Sequence, residues 1–437
     1  MPKHVVIIGG GMAGMAAATR LASRGIQATL LEAAPQLGGR ARSVAIEHNS
    51  QVIQLDNGQH IALGAYHETL KLLATIGVQE KDAFLRVPLQ LEMRDGRQTA
   101  FNLKTAHYLP ATISQLIGFL TCTGLSWHER LAVIRLMLRL KKANYQLTND
   151  TALAEFLQQN QQSSNTNALL WEPLCLAALN TPINLASSKI FLNVLKDTFK
   201  NKHNSDFLLP KLDLSQLFSQ PITRYVTANQ GSVTLNQRVK KITPNNNGYQ
   251  ITATEKSIEA SHVIIAMSPA RLRNVIGDLP KLNFIADQTD SYTYQPIYTI
   301  YLQYATGATL PKPMLGLTGG VSQWVFDRGI LCNQHGLMAV IISASGRHQQ
   351  YTQDTLALRV AQELRDAFPH LTKPLWHKVI AEKRATFSCN VNLPRPAHVT
   401  PYANLFLAGD FTCADYPATI EGAVRSGVAC ADLVSHS

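Results

Sequence analysis

Three glycines, Gly9, Gly11 and Gly14, stand in G-x-G-x-x-G spacing directly after the apolar run 4–8, and a carboxylate, Glu32, follows them. This pattern suits a pyrophosphate. The first glycine permits a tight turn, the second lets backbone approach the phosphates, and the third lets a helix pack on the preceding strand. Met12 and Ala13 open that expected helix, whose N-terminus carries roughly half a positive charge toward a phosphate. The stretch 27–32 predicts a second strand. Its tip, Glu32-Ala33, lies about 20 residues past the fingerprint, where a carboxylate accepts from ribose hydroxyls. The bland alternative is a glycine turn with no ligand. A strand before it, a helix after it and an acid in place together weigh against that.

Glycine spacing alone does not separate FAD from NAD; the next stretch does. Gly38-Gly39-Arg40, followed by Arg42, comes just after Glu32. This resembles the second signature of FAD enzymes in the flavin amine oxidase and carotenoid desaturase superfamily. There the glycines and an arginine wrap the pyrophosphate, and Arg40 is the matching position. The alternative is a basic surface turn. The resemblance implies an α/β fold: a Rossmann-like, glutathione-reductase-type FAD-binding domain and a second, mixed α+β substrate domain.

Length also argues for two domains, because 437 residues exceed one ordinary core. In the superfamily the FAD domain is assembled from separated segments, here expected at 1–85, 221–275 and 386–437. Residues 86–220 and 276–385 would form the substrate domain. Segments 226–243 and 248–269 read as hairpin strands with Asn247-Gly248 as the turn. Val239 matches the position whose backbone meets the adenine. Residues 105–220 look mostly helical, whereas 280–385 mix strands with one clear helix near 353–367.

A second strand–turn–helix pattern closes the chain. An apolar run ends in Gly409-Asp410, and a small-residue helix opens near Thr419-Ile420. On the flavoprotein reading, Asp410 accepts from ribitol hydroxyls. The helix N-terminus points at the isoalloxazine, where its partial charge favours an anionic reduced flavin. The alternative is that Asp410 only caps its own segment.

One more tip completes the constellation: Asp56-Asn57-Gly58-Gln59-His60, between an expected strand and helix. In the superfamily this tip approaches the flavin, so Gly58, Gln59 and His60 would lie nearest the ring. His60 would donate to a substrate oxygen or to the flavin, unless it is a structural histidine. Together with stretches 169–182, 204–218 and 408–427, the tip resembles the squalene-associated FAD-dependent desaturases, or hydroxysqualene dehydroxylases, of bacterial hopanoid synthesis. The resemblance runs nearly the whole chain and is weakest at 280–385. One departure is visible. Phe411 and Cys413-Ala-Asp-Tyr416 stand where a tryptophan and a shorter Thr/Gly pattern are expected.

The resemblance implies reductive dehydroxylation of hydroxysqualene to squalene. Protonation lets the allylic hydroxyl leave as water, and reduced flavin then supplies hydride to the allylic cation. His60 is the first candidate for the acid, with Asp415 or Tyr416 second; Glu172 and Asp213 are further candidates. Three other readings share the fold. They are a carotenoid-type desaturase running the flavin oxidatively, a flavin amine oxidase, and a non-enzymatic isoprenoid-lipid carrier. The electron donor is not identified, since no second dinucleotide fingerprint is present.

Composition narrows the surroundings. The net charge is +11, but Lys and Arg are scattered and no nucleic-acid-binding signature appears, so nucleic acid is not an expected partner. The six cysteines are far apart without C-x-x-C, which argues against a metal site and fits reduced thiols in a cytosol. No signal peptide or membrane-spanning run is read. In the segment 127–146, Arg135, Arg139 and Lys142 share one helical stripe beside a wide apolar arc. This helix either docks on an anionic bilayer or is buried with snorkelling basic ends. A C30 isoprenoid gains on the order of 20 kcal/mol on leaving water, at ~0.8 per CH₂, so it waits in lipid. Peripheral contact with the inner membrane face is therefore expected.

Overall fold

The computed structural model describes residues 3–105 and 111–437. Residues 106–110 of the expected helical stretch lie outside the described residues. The first sheet is parallel and five-stranded. Its strands are β1 (His4–Ile8), β2 (Gln27–Leu31), β3 (Ser232–Thr234), β4 (His262–Ile265) and β5 (Leu405–Leu407), in the order β3-β2-β1-β4-β5. All four pairings are parallel, with Val5 opposite Ala28 on one side and His262 on the other.

A strand at the centre of such a sheet is buried on both faces, and the apolar run of β1 supplies both. Val5 and Ile7 pack with the helices α1 (Met12–Ala22) and α2 (Ile420–His436). Val6 and Ile8 pack on the opposite side with Ile242, Ile251 and Leu272. The helices α1 and α2 are rich in small residues because they lie against each other. A Cβ on Gly427 would come within 2.1 Å of the Ala13 carbonyl oxygen.

The segment 226–243 corrects the hairpin expectation. Gln220–Ala228 is helical and Ser232–Thr234 joins the parallel sheet. Pro221 at the helix start and Ile222 and Val226, buried four residues apart, explain the helix. The hairpin begins only at Lys241–Asn245, pairs with Gly248–Thr252, and continues into Ser257–Ala260. Asn245 faces Gly248, so the turn residues are Asn246-Asn247, one position earlier than expected.

The second sheet has seven strands. In spatial order they are Trp376–Phe387, Tyr294–Gln303, Leu337–Ser343, Trp324–Asp327, Met314–Leu317, Gln90–Asp95 and Gln98–Lys104. All neighbours are antiparallel except Met314–Leu317 beside Gln90–Asp95. The period of two sorts its side chains. Ile300 and Leu302 face a cluster with Leu356, Val360 and Leu364 of the helix Gln353–Ala367. Tyr301 faces the other way, into a core shared with helices between residues 111 and 199.

Candidate active site

The N-terminal cradle is held by its own carboxylate. Glu32 Oε2 accepts from the Gly10 N–H and Oε1 from the Ala34 N–H, each at 2.7 Å. The tip of β2 is thereby tied to the glycine turn. Gly9 has φ +108°, and a Cβ on Gly14 would stand 1.9 Å from the Gly9 carbonyl oxygen, so the third glycine is required for helix–strand contact. Gly38 donates to the Gly10 carbonyl at 2.8 Å, and Gly39 lies against Gly11. Arg42 donates to the Gly39 carbonyl and folds over this second turn.

Arg40 joins the two ends of the chain. Its Nη2 donates to Asp410 Oδ2 at 2.7 Å and its Nη1 to the Ala385 carbonyl at 2.8 Å. Asp410 is buried, and its bonded partner is the arginine of the other signature rather than its own segment. Gly409 donates to Ser426 Oγ at 2.7 Å, fixing the strand end to α2. Thr419 is the N-cap of α2, its Oγ1 accepting from Gly422, and Ile420 is the first helical residue.

The Asp56–His60 tip meets this group from the side. Asn57 donates to the Arg40 carbonyl at 3.2 Å and to Glu382 at 3.3 Å. A Cβ on Gly58 would lie 3.7 Å from Thr299 Oγ1 and 3.9 Å from His60 Nε2. His60 keeps some accessible surface, yet it lies deep among protein atoms. Burial, and secondarily the Arg40 guanidinium, push its pKa down to about 4. The imidazole is therefore neutral near pH 7.

Behind the tip lies a buried ion pair. Arg328, at 1% exposure, donates through Nη1 to Asp56 Oδ2 at 3.2 Å and to Gln59 Oε1 at 2.7 Å. Asp56 Oδ1 accepts from the Leu214 N–H and from Ser43 Oγ, and Tyr301 Oη bridges the Asp56 main chain. Burial raises the Asp56 carboxyl despite the pull of Arg328. Because a guanidinium only donates, the Gln59 amide is oriented with its oxygen toward Arg328 and its NH₂ away from it.

The Cys413–Tyr416 insert is built differently from the tip. Arg395 donates to the carbonyls of Cys413 and Tyr416, and Asn193 Nδ2 to that of Asp415 at 3.3 Å. Asp415 is exposed. Tyr416 is buried under the Arg425 guanidinium, 4.2 Å from its ring centroid. Burial first, then the neighbouring Tyr66, raise the Tyr416 phenol well above its usual range. Among the described contacts neither side chain meets His60, Arg40 or Asp410. Asp213 accepts from the Ser215 and Gln216 N–H groups and from Ser43, which makes it a capping carboxylate. Glu172 is partly buried at the start of the helix Glu172–Leu179.

These residues fit FAD. A Cβ on Gly11 would meet nothing within 4 Å, so that glycine leaves space no protein atom uses. The Val239 main chain has no hydrogen bond among the described residues, although Val239 is buried. The buried Thr299 Oγ1 and Tyr294 Oη are likewise unpartnered. Tyr294 lies near Arg40 and Asp410, and burial pushes its phenol up to about 12. A separate cleft of about 380 Å³, lined by Arg94, Leu310 and Phe368, includes none of these residues. Among the described residues no cluster could hold a metal ion.

The family model for flavin containing amine oxidoreductases matches residues 12–435. The chain belongs to this family. It is an FAD-dependent oxidoreductase. It is 27% identical to a hydroxysqualene dehydroxylase of Zymomonas mobilis and 28% identical to one of Rhodopseudomonas palustris, over 99% of each chain. Among solved structures, an oxidoreductase from Methanosarcina mazei superposes with a TM-score of 0.76 at 15% identity, covering 98% of this chain and 100% of that one. The family's fold and cofactor thus agree with what the two glycine signatures imply.

Several residues of the site escaped the sequence. Arg328 follows an ordinary strand end, "WVFDRG", and nothing local marks it as buried. Glu421 looks like a first-turn acid of its own helix. It is 0% exposed and instead accepts from the N–H groups of Glu68 and Thr69, capping the helix His67–Thr75. Tyr294 and Thr299 carry no motif at all; they reach the site through strand register.

Proposed function

We propose that the protein reductively removes the allylic hydroxyl of hydroxysqualene to give squalene. The observation that carries this reading is the end-to-end similarity to hydroxysqualene dehydroxylases. When bound and reduced, the flavin supplies the hydride that replaces the departing hydroxyl. The chain's own residues have the remaining tasks. Glu32 and the two glycine turns would hold the nucleotide half, Arg40 and Asp410 would hold the middle, and the α2 N-terminus would favour negative charge on the reduced ring system.

His60 acts on the leaving oxygen. As neutral imidazole it donates a hydrogen bond; in its protonated fraction it is a strong acid that releases the hydroxyl as water. The Gln59 NH₂, left free to donate elsewhere because Arg328 holds the amide oxygen, is proposed as a second donor. Tyr416, kept protonated by burial, is the second proposal for the proton donor. Asp415, exposed beside it, is proposed as part of the rim. A substrate of this class resides in lipid, so we further propose peripheral membrane contact. Among the described residues no helix is long and apolar enough to cross a membrane.

The same site run oxidatively, as a polyene desaturase, is the second reading. It is favoured by 21% identity to a 15-cis-phytoene desaturase of Arabidopsis thaliana over 99% of this chain and 80% of that one. Anaerobic incubation of chemically reduced protein with hydroxysqualene separates them. Squalene, formed as the flavin reoxidises, is the expected product. No squalene, together with hydride uptake from a polyene by the oxidised protein, would establish the second reading instead.

A further inference from the structure

A surface helix normally turns its apolar stripe at i, i+3, i+4 and i+7 toward the core. The helix Ala111–Thr121 does the opposite. Ile113, Leu116 and Ile117 are 48%, 40% and 38% exposed, and Leu120 continues the stripe partly exposed, while Ser114 and Phe119 are buried. At Gly118 the helix comes close to the edge strand Gln98–Lys104: a Cβ there would stand 2.9 Å from the Lys104 carbonyl oxygen. Phe119 fills the core beside this contact, and Ile113, Leu116 and Ile117 are left on the outer side.

The next helix, Trp127–Lys142, continues this face. Val133, Leu136 and Leu140 are buried, but Trp127, Leu131 and Leu138 are 62%, 40% and 55% exposed. Those three fall within about 40° of arc at 100° per residue. Lys142, Arg135, His128 and Arg139 flank the stripe on one side and Lys141 on the other, all exposed. The hairpin is fixed: Arg130 donates to the Leu120 and Leu125 carbonyls and stacks on Trp127. Of thirteen large apolar side chains exposed among the described residues, six lie here. Across 111–142 the only acid is Glu129, against Arg130, Arg135, Arg139, Lys141 and Lys142.

We propose that this two-helix hairpin is the face on which the protein docks to an anionic lipid bilayer. The apolar stripes enter the acyl boundary and the basic shoulder lies at the level of the phosphates. The surface stands on its own geometry; only its service to an isoprenoid substrate rests on the function proposed above.

The test is flotation of the flavin-loaded protein with vesicles of phosphatidylcholine alone or mixed with phosphatidylglycerol. Binding to the mixed vesicles, weakened by salt, is expected. Arg135→Gln and Lys142→Gln should each lower partitioning about fivefold. The pair Leu131→Glu and Leu138→Glu should abolish flotation while leaving the flavin absorbance spectrum unchanged. The proposal fails if wild-type protein ignores mixed vesicles or if these variants float like wild type. It also fails if wild type elutes as a dimer that the leucine variants dissociate, for then a second copy covers the face. Turnover in detergent is a separate readout. Loss of flotation by the leucine variants, with no squalene formed by any protein, would keep the docking face and overturn the proposed reaction.

Discussion

His60 shows how burial decides what a residue can do. With its pKa pushed down to about 4, against about 6.5 in an unfolded chain, it binds its proton more weakly when folded. The unfolded state therefore holds more protons between those values, and stability falls as pH drops through that window. Protein stripped of flavin should lose about 3 kcal/mol relative to His60→Gln between pH 7 and 4, read by denaturant titration at each pH. Activity should move the other way. If His60 delivers the proton, squalene formation per active site rises toward acid pH in wild type and is flat in His60→Gln; identical profiles would remove it from the proton path. Arg328 supplies a second residue-scale case. Arg328→Met leaves Asp56 buried without its cation, at a cost of about 3–5 kcal/mol, and adding Asp56→Asn should recover much of this.

At the scale of elements, two residues hold helices in place without entering the chemistry. Glu421 of α2 receives the N–H groups of Glu68 and Thr69, the Thr69 hydroxyl and Arg425 Nε. It thus caps the helix that follows the Asp56–His60 tip. Glu421→Ala should destabilise the protein by about 1–3 kcal/mol, with faster amide exchange at Glu68 and Thr69 as the local signature. The second case is the α1–α2 contact. Since a Cβ on Gly427 would stand 2.1 Å from the Ala13 carbonyl, Gly427→Leu must push the helices apart. A cost of about 1–3 kcal/mol is expected, along with weaker flavin retention, because the displaced end of α1 borders the pyrophosphate cradle.

For the whole molecule, the proposed cofactor site draws on three stretches far apart in the chain. Among the described residues, the first glycine turn, the Asp56–His60 tip and the Gly409–Ile420 segment are linked through Gly38, Arg40, Asn57 and the packing of α2. A ligand spanning all three stabilises the fold as a unit. FAD at about a thousandfold over its Kd should add about 4 kcal/mol, seen calorimetrically as one transition moving upward. Two transitions that respond unequally would mean that the sheets unfold independently. The +11 charge belongs to this scale too, since it favours approach to any anionic surface before the hairpin engages.

Local signals were enough for the parts of this protein whose job is local. A glycine turn between an apolar strand and a helix needs only consecutive residues, so the strand, the turn at Gly9, Gly11 and Gly14 and the helix after it are legible in the sequence, as is the helix 353–367. The segment 226–243 opens as helix rather than strand because Val226 shares a helical face with Ile222, four residues earlier and outside the segment, and both meet the core; Ser232–Thr234 is then a parallel strand, and only Lys241 onward forms the expected hairpin. The exposed face of 111–142 was half visible: the basic stripe could be counted, but which apolar residues face outward depends on which side of the helix meets the edge strand at Lys104. Arg328, Glu421, Tyr294 and Thr299 act on partners brought near only by sheet register and helix packing. Such pairings span tens to hundreds of positions and leave no periodicity behind. Sequence alone therefore determined the cofactor class and the α/β fold class. Tertiary packing alone decided that His60 is neutral, that Asp56 is buried with a cation, and which helices are left facing outward.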